Sequence, residues 1–155
     1  MKQPKSVAKC NCKAFDKHAE FQHEEHKIVT FKDKGTSEYK YTNKSSNHLA
    51  KYIVDGKLIA DKGAKCDFLL LNCEQKQSYF IELKGSDMIR AIEQIDRSID
   101  LLKPNLADFA FFARIVLTKV ATIDSKSTKL VKLEKKLKSL KGNLKKQTRL
   151  LQEVV

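Results

Sequence analysis

Two short apolar runs, 67–72 (DFLLLN) and 78–83 (SYFIEL), flank five mostly polar residues, 73–77 (CEQKQ). So short a loop should return the chain antiparallel, since a parallel neighbour needs a crossover of a dozen or more residues. Ser86 follows as a helix N-cap, with Asp87 in the first turn. Met88, Ala91, Ile92, Ile95, Ile99 and Leu102 then recur mostly at three- and four-residue steps, the pattern of an amphipathic helix. Lys103-Pro104-Asn105 stops it. The run 109–117 (FAFFARIVL), broken only by Arg114, reads as a buried central strand. Strand, strand, helix, strand in this order predicts an α/β fold around a mixed sheet.

The flanking segments add elements. Residues 15–26 (FDKHAEFQHEEH) have helical composition without a strong apolar stripe. Residues 27–32 and 37–42 read as strands on either side of an Asp33-Lys34-Gly35 turn. Asp55-Gly56, inside 51–60 (KYIVDGKLIA), predicts a hairpin. From Ser127 onward the spacing predicts one long helix. Leu130, Leu133, Leu137, Leu140, Leu144 and Leu151 form a heptad seam, and Gly142 interrupts it. The expected organisation is a flexible segment 1–14, a core 15–118, and a basic amphipathic helix in 119–155. That helix would pack on the core or on a partner, and a homodimer through the seam is the expected assembly.

Charge narrows the function. The chain carries 31 Lys+Arg against 19 Asp+Glu, net +12. The excess is uneven: residues 1–65 are net +6, 66–125 net −2, and 126–155 net +8. Carboxylates at the centre with cations around them suit a metal-dependent enzyme acting on a polyanion. No run approaches the roughly 18 apolar residues of a membrane span, and 1–15 has no apolar signal core. A cytoplasmic protein without a membrane partner is therefore expected. Four cysteines without a secretion signal suggest free thiols. The spacing of Cys10, Cys12, His18, His23 and His26 fits no structural zinc pattern.

The chemistry concentrates at Asp67, Glu82 and Lys84. A hairpin centred on 73–77 pairs residues whose numbers sum to about 151, which sets Asp67 against Lys84, with Glu82 two residues along on the same face. A one-residue slip would send Asp67 to the other side. Two carboxylates converging on an apolar sheet are costly unless a cation joins them. Mg²⁺ or Mn²⁺ takes oxygen ligands, and the Leu83 carbonyl can add one. Such an ion polarises a phosphoryl oxygen and lowers the pKa of bound water, while a lysine beside it stabilises a phosphorane. Lys132, Lys135, Lys136, Lys138, Lys141, Lys145, Lys146 and Arg149 are the candidate phosphate contacts.

The segments KCDFLL (65–70) and YFIELKG (79–85), with the helix that follows, resemble the PD-(D/E)XK nuclease superfamily of restriction endonucleases and Holliday-junction resolvases. The resemblance covers roughly residues 15–118 and implies a restriction-endonuclease-like αβββαβ core. It implies an Mg²⁺ site at Asp67 and Glu82, with Lys84 as the catalytic lysine and Gln94 as a further site residue. Gln94 lies on the Asp87/Ala91 side of the helix, away from the Ile92–Ile95–Ile99 ridge. Cys66 stands where many members carry proline. Glu20, Glu24 and Glu25 are candidates for a carboxylate from the first helix. The implied function is Mg²⁺-dependent DNA hydrolysis. The competing readings are an inactive nuclease-fold protein that binds nucleic acid or another protein, and an assembly protein built on the leucine seam.

Overall fold

The computed structural model describes residues 13–15, 17–33, 36–83, 87–119 and 127–155. In chain order these form β1 (Ala19–Glu24), β2 (Ile28–Lys32), β3 (Glu38–Thr42), β4 (Leu49–Ile53), β5 (Phe68–Asn72), β6 (Gln77–Leu83), α1 (Met88–Leu102), β7 (Ala110–Leu117), α2 (Thr128–Ser139), β8 (Leu144–Thr148) and β9 (Leu150–Val154). Lys84 lies outside the described residues, as does most of 1–14; α1 is capped by Asp87 rather than by Ser86, the Asp87 carboxylate accepting the N–H of Arg90 at 3.0 Å.

Six strands make one mixed sheet in the order β1-β4-β5-β6-β7-β8, and β2-β3-β9 make a second. Alternation along the strands of the large sheet sorts side chains into two cores. Phe80, Leu69, Leu71, Ala113 and Ile115 pack with Ile92, Ile95 and Ile99 of α1 and with Leu130, Leu133 and Leu137 of α2. Tyr79, Ile81, Leu83, Leu70 and Val116 pack with Phe31, Tyr39, Tyr41 and Leu151 of the small sheet. The protein is thus a mixed α/β fold with both helices on one face of the large sheet and the small sheet on the other. β6, β7 and β8 are parallel neighbours, so α1 and α2 are the crossovers between them. No helix among the described residues is long and apolar enough to cross a membrane.

Four expectations change. Residues 15–26 do not form a helix: 19–24 is the strand β1, antiparallel to β4 with two irregularities in register. A helix there has no apolar stripe to bury, whereas the strand satisfies the open edge of β4 and sends Gln22 to the Tyr52 hydroxyl at 2.7 Å. The hairpin at Asp55-Gly56 shrinks to an isolated Asp55–Ile59 bridge with Gly56 at φ +80°. Both edges of β4 are already occupied, by β1 and β5, so a second arm has nothing to pair with. The β5–β6 register pairs Phe68 with Ile81, a sum of 149 rather than 151.

The fourth change is the largest. The long basic C-terminal helix is replaced by α2 and two strands. The helix ends in a Schellman arrangement: Gly142 N–H donates to Leu137 O at 2.8 Å, Lys141 N–H donates to Lys138 O at 3.0 Å, and Lys141 takes φ +67°. The leucine seam is split inside one chain. Leu130, Leu133 and Leu137 bury under α2, Leu144 packs at the edge of the same core, and Leu151 joins the small-sheet core.

Cys66 is free and buried, but Cys73 is disulfide-bonded. The expectation of four free thiols therefore fails at Cys73. Denatured without reductant, the chain should show fewer than four titratable thiols. A count of four would contradict the bond.

Candidate functional site

Asp67 and Glu82 meet where β5 begins and β6 ends. Glu82 alternates with Ile81 and Leu83, which bury toward the small sheet, so its side chain lies on the helix-bearing face, 2% exposed. Asp67 is stitched between two strands by its backbone. Its N–H donates to Ile81 O at 3.1 Å, and its carbonyl accepts from Val54 N–H at 2.9 Å. Its carboxylate Oδ2 accepts the N–H of Leu83 at 2.9 Å. That contact puts the Asp67 carboxylate one residue along the backbone from Glu82. The shift in register moves the pairing by an even number, so it changes the expected partner of Asp67 without producing the one-residue slip that would separate the carboxylates.

The Cys66 thiol is buried next to Asp67 in the chain. Burial is the main force pushing its pKa well above the usual range; the Ser98 hydroxyl opposes this, and the charges of Glu82 and Asp67 add to it.

α1 fixes the approach to Asp67 with three side chains on one face. Gln94 Nε2 donates to Lys65 O at 3.2 Å. Ser98 Oγ accepts from Cys66 N–H at 2.8 Å and donates to Gln94 O at 2.7 Å. Arg97 forks onto both oxygens of Asp61 at 3.0 and 2.8 Å and also reaches Ala64 O at 2.9 Å. The Arg97 hydrogen bonds, helped by the N–H of Gly63, hold the Asp61 carboxyl down to about 2. Gln94 therefore bonds to the loop leading into Asp67. The Arg97–Asp61 clamp is absent from the sequence reading. Its signal is the i, i+3, i+4 spacing of Gln94, Arg97 and Ser98 beside the Asp61-to-Cys66 loop.

The N-terminal glutamates lie elsewhere. Glu20 pairs with Lys51 at 3.3 Å, and Lys51 Nζ sits 4.4 Å over the Phe31 ring, so this pair belongs to the small-sheet face. Glu24 pairs with His26. Glu25 and Glu74 flank His48 at 3.3 and 2.6 Å, and the His23 ring stacks on His48 with centroids 4.1 Å apart. This group lies at the other end of the sheet, beside the first residue of β4.

The candidate phosphate contacts are not brought together. Lys136 binds Asp96 and Asp100 at 2.6 and 2.5 Å. Burial opposes its charge, but these two carboxylates raise its pKa overall. Lys145 binds Glu153 at 3.1 Å. Lys132, Lys135, Lys138 and Lys141 are exposed, with Lys138 and Lys141 at the end of α2 that contacts the start of β7. Neither the family models nor the curated proteins nor the solved structures compared give a match to this chain.

A magnesium-like ion fits the donor set at Asp67 and Glu82. Such an ion keeps several waters and needs only one or two protein carboxylates. Among the described residues no group of three histidine, cysteine, aspartate or glutamate side chains is arranged around a common metal position. The remaining ligands would therefore be water and backbone or substrate oxygens.

Proposed function

We propose that this chain is a metal-dependent nuclease that hydrolyses phosphodiester bonds in DNA, of the restriction-endonuclease-like PD-(D/E)XK class. The observation that carries the reading is the Asp67 carboxylate held on the Leu83 N–H beside Glu82. The succession β4, β5, β6, α1, β7 supports the βββαβ part of that class's αβββαβ core, while the strand β1 stands where the core has its first helix.

Asp67 and Glu82 would hold Mg²⁺ or Mn²⁺, with the Leu83 carbonyl as a further oxygen donor. Bound there, the ion supplies polarisation of the phosphoryl oxygen and a water of lowered pKa. The chain's own groups do the positioning. The Leu83 N–H orients the Asp67 carboxylate, and burial of Glu82 keeps bulk water from competing for it. Gln94 and Ser98 hold the 65–66 backbone so that Asp67 starts β5 at a fixed place. Lys84, two residues beyond Glu82 and outside the described residues, is assigned to the attacking water or to the charge that develops on the phosphorane.

The test is cleavage of duplex, branched and single-stranded DNA with Mg²⁺ or Mn²⁺. Wild-type protein should cut at least one of these. Asp67→Asn, Glu82→Gln and Lys84→Ala should each lower the rate by about 10²–10³ while circular dichroism stays unchanged. If the wild type leaves all three substrates intact and calorimetry detects no divalent binding, the catalytic reading fails in favour of an inactive nuclease-fold binding protein.

A further inference from the structure

We propose that the carboxyl ends of β7 and β8 form a phosphate-binding shelf, on which Lys119 and Arg149 carry the DNA backbone away from Asp67 and Glu82. The proposal rests on the nucleic-acid part of the reading above, and it replaces the lysines of α2 as the main contacts.

The register builds the shelf. Leu83 pairs with Val116, Val116 with Gln147, and Leu117 with Thr148. β6, β7 and β8 therefore finish side by side. Neighbouring strands lie ~4.8 Å apart, so the end of β8 is about 10 Å across the sheet from β6. That distance suits a backbone running from the carboxylate pair toward further phosphates.

Arg149 occupies the single residue between β8 and β9 at φ +69°. Glycine or asparagine takes this left-handed conformation more readily than arginine. Its backbone is held at both ends: its N–H donates to Leu117 O at 2.7 Å, and its carbonyl accepts from Glu38 N–H at 2.8 Å. Its side chain is exposed and forms no ion pair among the described residues. Lys119, two residues past the end of β7, is likewise exposed and outside every described ion pair. Lys51, Lys65, Arg97, Arg114, Lys136 and Lys145 are each tied to a carboxylate. The two cations at the strand ends remain available to an external anion, and a phosphodiester strand supplies one at every step.

Fluorescence anisotropy with a labelled DNA duplex, in EDTA and across a salt series, decides the matter. Lys119→Ala and Arg149→Gly should each weaken binding about five- to tenfold and lower the slope of log affinity against log salt by about one. Arg149→Gly also relieves the left-handed backbone, so its Tm should hold or rise, which separates lost contact from lost fold. Arg149→Lys should restore the slope. Lys141→Ala, at the far end of α2, should change neither quantity. Wild-type affinity and slope in both shelf variants, an equal loss in Lys141→Ala, or no duplex binding at all would overturn the shelf. A chain that binds through the shelf yet cuts nothing would keep this proposal and defeat the catalytic one. A chain that cuts DNA with an unmoved slope would do the reverse.

Discussion

Arg114→Ala should destabilise the protein by about 3–5 kcal/mol, because it leaves a buried carboxylate without its partner. Arg114 is 2% exposed, in the middle of β7 between the two sheets. Its Nε and Nη2 donate to Glu153 Oε1 and Oε2, both at 2.8 Å. Its Nη1 donates to Asn143 Oδ1 at 2.9 Å and Ala113 O at 2.8 Å. Tyr39 Oη donates to Glu153 at 2.5 Å, and Lys145 reaches it at 3.1 Å. The rings of Tyr79 and Phe112 each lie 5.4 Å from the guanidinium carbon. Removing Arg114 leaves the nearly buried Glu153 with only Tyr39 and the exposed Lys145, and removing Glu153 leaves the 2%-exposed guanidinium without its carboxylate.

Glu153→Ala should therefore cost a similar amount. The pair Arg114→Met with Glu153→Leu should sit within about 1–2 kcal/mol of wild type, since replacing both charges removes both desolvation penalties. Urea titration measures all three. A loss below about 1 kcal/mol in Arg114→Ala would show that the charge is solvated after all. Acid acts on the same group. Burial pushes the Glu153 pKa up, but the hydrogen bonds and charge of Arg114, with Tyr39 and Lys145, leave it lowered overall. A lowered carboxyl contributes stability above its unfolded pKa and loses it as pH falls through the folded one. The lock should therefore persist through mildly acidic solution and fail only well into the acid range.

Gly142→Ala should cost about 2–4 kcal/mol through backbone collision. A Cβ at this position would sit 2.5 Å from the carbonyl carbon of Phe111 and closer still to its oxygen. Those are main-chain atoms at the start of β7, so no rotamer change relieves the clash. The neighbouring substitution has the opposite sign. Lys141→Gly places glycine at the left-handed position and should stabilise by about 0.5–1 kcal/mol. Thermal melts of the two variants should move in opposite directions. A neutral Gly142→Ala would show that the end of α2 can pull away from β7.

The same two residues explain what sequence reasoning misread. Lys141-Gly142 is the signature of a helix end, yet leucines at steps of three and four continue past it to Leu144, so the periodicity hides the stop. Beyond it, 150–154 alternates exposed and buried, but five residues are too few to outweigh a seam. Residues 15–26 were harder, because their strand pairing is decided by an open edge on β4 that local sequence does not contain. The β5–β6 hairpin, α1 and β7 were legible because each carries its own apolar period. At the site, Asp67 and Glu82 were legible through parity, which survives the change of sum from 151 to 149. The clamp from Arg97 to Asp61 was not legible, since it joins residues 36 positions apart. Arg114, read as a break in an apolar run, marked the buried pair. Its partner Glu153 is one of only two acidic residues in 126–155.

β9 runs parallel to β3, pairing Tyr39 with Leu151. During synthesis at about 5–20 residues per second, β3 leaves the ribosome roughly 6–20 s before the strand that completes its sheet. Through that interval the nascent chain carries Phe31, Tyr39 and Tyr41 with one edge unsealed.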